Sequence, residues 1–246
     1  SVYLQIGGNT DGEYGKLMAD GSSGTITFTS NQGTHTPGWW GGIRFYDYSD
    51  DASVLKNLVV EYGGAGGIGN IYCYQSSPTI QDSVIGSSSN YGLRCSNGVS
   101  PVIRNNTFIN NLHGIYCESA SSPVISTNTF TSNTSYPVLM QACSWPDFNN
   151  NIYSANNPDA IGVNGETINT NTTWTKDTVP YVIAGVVGVS GNSTPTLTLE
   201  PGLELRFENG VYLQIGGNTD GEYGNLMADG SSGTITFTSN ETIHTP

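Results

Sequence analysis

The sequence predicts an all-β fold, a parallel β-helix solenoid with coils of roughly 22–25 residues, and three observations predict it. Short alternating runs at 25–29 (TITFT), 203–207 (LELRF) and 211–215 (VYLQI) are punctuated by Gly, Asn, Ser and Pro, which reads as strand, turn, strand. Cys73, Cys95 and Cys117 are spaced 22 and 22 apart, while Pro78, Pro101, Pro123 and Pro146 recur at 23, 22 and 23. Residues 2–37 return as 211–246 with four of 36 positions changed (Lys16/Asn225, Gln32/Glu241, Gly33/Thr242, Thr34/Ile243). One 209-residue unit is therefore followed by the opening of another, as in a tandem array. Helix has little support, because long runs with apolar residues at i, i+3, i+4 and i+7 are missing.

Each element follows in order. Gly42-Ile43-Arg44-Phe45 aligns with Asn70-Ile71-Tyr72-Cys73, which places Phe45 below the cysteines. Residues 55–60 (LKNLVV) match 80–85, and 63–69 (GGAGGIG) read as a flexible lateral loop. The regular coils share the consensus S-P-x-I-x-x-N-x-F-x-x-N-x-x-x-G-I-x-C. Ile80, Ile103 and Ile125 each follow a proline; Ser83, Asn106 and Asn128 come three residues later, and Ile85, Phe108 and Phe130 two after those. Alternation turns Ile80, Ile85, Leu93 and Cys95 inward and Gln81 and Arg94 outward. Equivalent side chains then stack at about 4.8 Å per coil. Each interior Ile, Val or Phe contributes about 1.5–3 kcal/mol, but only once neighbouring coils cover it. The unit corresponds to roughly eight or nine coils, about 40 Å of rod. Residues 157–190 read as the joint between units, and Val182, Ile183, Val186, Val187 and Val189 predict that the solenoid continues through it. The chain thus divides into 1–165, most of one unit, and 166–246, the start of the next.

Composition excludes several classes. Seven basic residues stand against 20 acidic ones, a net charge of −13, and the basic residues are scattered. No cluster exists to neutralise phosphates, so nucleic acid is not an expected partner. No run of about 18 apolar residues predicts a membrane span.

Residues 197–210 (LTLEPGLELRFENG), 226–240 (LMADGSSGTITFTSN) and 36–45 (TPGWWGGIRF) resemble segments of right-handed parallel β-helix repeat proteins of bacterial and archaeal cell surfaces. The Pro-x-Ile-x-x-Asn-x-Phe coils resemble the generic repeat of that fold. The resemblance covers nearly the whole chain. It implies a right-handed winding and an extracellular setting, and leaves activity open, because this fold hosts lyases, hydrolases, adhesins and passive rods.

Candidate chemistry is sparse. Asn9-Thr10-Asp11-Gly12 shares its letters with one motif of polygalacturonases, which also need a paired-Asp motif, Gly-His-Gly and Arg-x-Lys. Here Asp50-Asp51 is a loop pair, His113-Gly114 lacks the leading Gly, and Arg-x-Lys is missing, so turn chemistry explains the motif and no catalytic residue is assigned. The acids and bases of the regular coils (Asp82, Glu118, Arg94, Arg104) do not form the cluster a calcium-dependent lyase requires. Asn9, Asp11 and Glu13, with Asn218, Asp220 and Glu222 in the second copy, place oxygens at alternate positions that suit calcium, yet the spacing fails an EF-type loop. A solvated turn is the favoured reading, and no cofactor is assigned. The three spaced cysteines are expected to be free and buried, with Cys143 outside the series. Thr25, Thr27 and Thr29 align by sequence with Lys56, Gln81 and Arg104, which argues against a threonine face. Of Trp39-Trp40, one ring is expected inside and one over a turn. Sequons mark Asn105, Asn133, Asn171, Asn192 and Asn240 as candidate glycosylation sites.

The expectation is a structural or adhesive repeat of an extracellular surface protein, non-catalytic and forming a stiff rod or filament, with outward Asn, Ser and Thr keeping its faces wet and only lightly charged. Its partners would be identical repeats, head to tail, and cell-surface polymers or glycans. The alternatives are a polysaccharide-binding or polysaccharide-cleaving β-helix and a calcium-dependent adhesin.

Overall fold

A computed structural model describes residues 2–217 and 219–241. Their strands are short, mostly three or four residues, and each pairs in parallel with the equivalent strand one coil away. Every third strand joins one ten-stranded sheet that runs from Leu4–Ile6 to Thr236–Ser239. Two six-stranded sheets close the prism over the first part of the chain, and two three-stranded sheets close it beyond Ile161–Asn164. No described helix is long and apolar enough to cross a membrane.

The pairing registers the predicted ladders. Cys95 lies opposite Cys73 on one side and Cys117 on the other, and Phe45 pairs with Cys73. Met140, Val163, Ile183 and Phe207 continue that inward row. A second row runs Ala19, Leu55, Ile80, Ile103, Ile125, Phe148. A third runs Phe28, Val60, Ile85, Phe108, Phe130, Tyr153. Its rings stack face to face, with centroids 5.0 Å apart for Phe108 and Phe130 and 5.3 Å for Phe130 and Tyr153. This aromatic stack explains the consensus glycine. A Cβ on Gly114 would lie 2.4 Å from the Pro137 carbonyl oxygen and 2.8 Å from Phe130 Cδ1.

The corners depart from the expectation that asparagine faces outward and keeps the faces wet. Instead Asn106, Asn128 and Asn151 form one buried ladder, and Asn111, Asn133 and Asn156 another. The Oδ1 of Asn128 accepts from the Asn106 backbone N–H at 2.9 Å, and its Nδ2 donates to the Ile103 carbonyl at 2.9 Å. Each ladder residue is preceded by one in the left-handed region, such as Asn105 (φ 55), Thr127 (φ 54), Ser132 (φ 55) and Ala155 (φ 57). That single residue turns the chain and leaves orphaned backbone groups, which the buried amide satisfies. The ladders end on acids. Asn151 Nδ2 donates to Asp177 at 2.9 Å, and Asn156 Nδ2 donates to Asp159 at 2.7 Å. The six-stranded sheets stop at the same level, at Asp147–Asn149 and Ile152–Ser154, while the ten-stranded sheet passes through the joint.

The threonine alignment is also corrected. Lys56, Gln81 and Arg104 stand in register with Asp20, whereas Thr27 pairs with Val59 and heads the row Val84, Thr107, Thr129, Ile152. A loop of unequal length separates the first two strands from later ones, and sequence spacing cannot register such a coil.

Candidate functional site

The outer face of the ten-stranded sheet gathers the aromatic side chains. Arg44, Tyr72, Arg94, Tyr116 and Leu139 occupy one outward row, one residue per coil. They sit at the variable position of the I-x-C run, between two inward residues, so alternation sends them out. Tyr46 and Tyr74 flank the row on one side, and Tyr91, His113 and Tyr136 on the other. The rings touch: Tyr72 and Tyr74 lie 5.9 Å apart, Tyr91 and Tyr116 stack at 4.8 Å, and His113 stacks on Tyr91 at 5.6 Å. Tyr136 extends the layer, 6.2 Å from His113.

Arg94 ties the strip together. Its Nε donates to Glu118 Oε1 at 2.7 Å, and its guanidinium carbon lies 5.4 Å from the Tyr72 ring centroid and 5.9 Å from that of Tyr116. Delocalised charge over a ring face is attracted by the ring quadrupole. Burial pushes the phenol of Tyr116 up to about 12 and raises those of Tyr72, Tyr91 and Tyr136. Burial also lowers His113 from 6.5 to about 4. At neutral pH the rings are therefore uncharged and the Arg94–Glu118 charges compensate each other. On a chain of net charge −13 this is a charge-balanced aromatic strip.

Other candidates are placed as follows. Tyr14 OH donates to Asp11 Oδ1 at 2.7 Å, and Asn9, Asp11 and Glu13 lie in an exposed turn. In the second copy Glu222 Oε2 accepts from the Thr219 backbone, Asp220 is exposed, and Asn218 lies outside the described residues. Among the described residues no three His, Cys, Asp or Glu side chains converge as a metal site would need. The cysteines are all free. Burial raises the thiols of Cys73 and Cys95 far above their usual range, which keeps them protonated and inert. Trp40 packs partly on the core and donates its Nε1–H to the Glu61 carbonyl at 2.7 Å, while Trp39 is 55% exposed, so neither ring is fully inside. Asn105, Asn171 and Asn192 are exposed and Asn240 is half-buried. Asn133 is corrected: it is buried, and its Nδ2 donates to the Phe108 carbonyl and to Asn156, so the folded chain offers no amide there for glycosylation. A cleft beside the joint is lined by Lys176, Asp177 and Glu204, but Asp177 already accepts from Asn151 and Tyr153.

A family model described as a right-handed β-helix region matches residues 18–200. The chain belongs to the right-handed β-helix family. No curated protein matches it, and no solved structure does. Within this β-helix, the aromatic strip was the feature that sequence reasoning missed. Its signal was present: once Cys73, Cys95 and Cys117 are inward, the residues before them (Tyr72, Arg94, Tyr116) must share one outward row.

Proposed function

We propose that this right-handed β-helix is a structural and adhesive repeat of an extracellular surface protein, without catalytic activity, that extends by head-to-tail addition of identical units into a stiff rod. The observation that carries this reading is the ten-stranded sheet, which crosses from the first copy of the repeated segment into the second without a cap. A rod of this kind is held by axial hydrogen bonds and interior ladders, and each unit only needs its neighbours. Electron microscopy of recombinant chains with two, three and four units tests it. Straight particles that lengthen by about 40 Å per unit are expected; globular beads on flexible joints would end the proposal.

The aromatic strip favours a second reading, in which the same rod holds a polysaccharide. Tyrosine presents an apolar ring and a polar hydroxyl, which suit the C–H groups and hydroxyls of a sugar, and this strip is neutral and runs along the axis. Binding to cell-surface glycans, weakened at least tenfold by Tyr72→Ala and Tyr91→Ala, both half-buried on the outer face, is the expected outcome. Equal binding by wild type and both variants would remove this reading.

A further inference from the structure

The two copies of the repeated segment do not occupy the same face. In the first copy Leu4–Ile6 belongs to the ten-stranded sheet, Met18–Asp20 to the next face and Ile26–Phe28 to the third. In the second copy the equivalent Leu213–Ile215 lies on the face after the ten-stranded sheet, Asn225–Ala228 on the one after that, and Thr236–Ser239 in the ten-stranded sheet itself. The inside–outside pattern is unchanged. Leu4 and Ile6 pair with inward Ile43 and Phe45, and Leu213 and Ile215 pair with inward Val187 and Val189. The same letters are thus read with the same sides inward, one face further round the prism. The count explains it: from Leu4–Ile6 to Leu213–Ile215 the chain advances 25 strands, three to a coil, which is eight coils and a third.

We infer that each 209-residue unit of a tandem array is turned by one face, a third of a turn, relative to the unit before it. The inference rests on the rod reading. Every unit carries one aromatic strip centred on Tyr72, Arg94 and Tyr116. Successive strips then point in three directions at steps of about 40 Å, and a given direction recurs only every third unit, about 120 Å. Such a rod is adhesive around its whole circumference. A flat partner surface engages one unit in three, and a partner that wraps the rod engages all of them, which sets the spacing of multivalent contacts.

Thiol cross-linking of this chain tests the turn, in a Cys143→Ser background and with a short bifunctional reagent that spans one strand spacing of about 5 Å. Gly188→Cys with Gln214→Cys, and Arg206→Cys with Thr238→Cys, occupy outward register pairs. A Cβ at Gly188 meets nothing closer than 3.6 Å, so the first pair fits without strain. Both pairs are expected to cross-link in high yield under native conditions, with Gln5→Cys and Arg44→Cys as the first-copy control. If the unit were not turned, Leu213–Ile215 would lie in the ten-stranded sheet above Tyr181–Ile183, and Val182→Cys, now in register with Arg206, would instead cross-link to Gln214→Cys. That result, or failure of both register pairs in folded protein, overturns the inference. If one double variant does not fold, the other decides. The cross-links read register inside one chain, so they stand even if longer chains prove jointed, an outcome that would end only the rod reading.

Discussion

Asn128 joins three coils through one side chain. Its Oδ1 accepts from the backbone and the amide of Asn106, and its Nδ2 donates to the Ile103 carbonyl and to Asn151. Asn128→Ala strands these buried groups without water, at about 1–3 kcal/mol for each one left unpaired. Urea unfolding should therefore show a loss of more than about 2 kcal/mol, whereas Asn105→Gly, at an exposed left-handed position, should be near neutral. The reason Asn128 was misread is local. An asparagine beside a turn ordinarily faces solvent, and only the backbone of the preceding coil, invisible in a linear string, supplies the partners that draw it inside. His113 makes a second residue-scale prediction. Its Nδ1 is buried without a hydrogen-bond partner, between Tyr91 and Tyr136, and burial lowers its pKa from 6.5 to about 4. Between those values the unfolded chain binds a proton that the folded chain refuses. Stability contributed by neutral His113 is thus present above pH 6.5 and lost as pH falls toward 4. The difference in stability between wild type and His113→Phe should change over that window and be flat above it.

At the scale of the strand, what was legible was the inward set. Period-two alternation and the 22-residue spacing together fix which of Ile80, Phe108 and Cys95 point inward, because exposing any of them forfeits its burial. The outward rows were less legible, since polar and aromatic letters are both tolerated there, and the irregular first coil hid the true partner of Thr27. The glycine of the G-I-x-C run belongs to the element rather than to its own turn: it leaves room for the Phe108–Phe130 stack in the adjacent face. Gly114→Ala drives a methyl group into the Pro137 carbonyl and the Phe130 ring. A loss of about 1–3 kcal/mol is expected, as for other overpacked cores. Phe130→Leu in the same chain should recover part of it, read as a partial return of the melting temperature. An additive double variant would mean that the ring is not what the glycine accommodates.

For the whole molecule, letter identity revealed the length of the unit but not its phase. The phase depends on how many strands the chain spends between copies, and 25 is not a multiple of three. The side sheets end at Asp147–Asn149 and Ile152–Ser154 and new ones begin at Glu166–Ile168 and Thr172–Trp174, yet the ten-stranded sheet continues past both. The physical cause lies in the corners, where Asp159 and Asp177 terminate the asparagine ladders and the following coils close without them. Rod, adhesive strip and turned units all presuppose that the coils stack in register. Nuclear Overhauser contacts among selectively labelled cysteines report this most directly. The account predicts cross-peaks linking Cys95 to both Cys73 and Cys117, and none between Cys73 and Cys117, which lie two coils apart. Absence of the Cys95 contacts in folded protein, or a direct contact between the outer two, would contradict it.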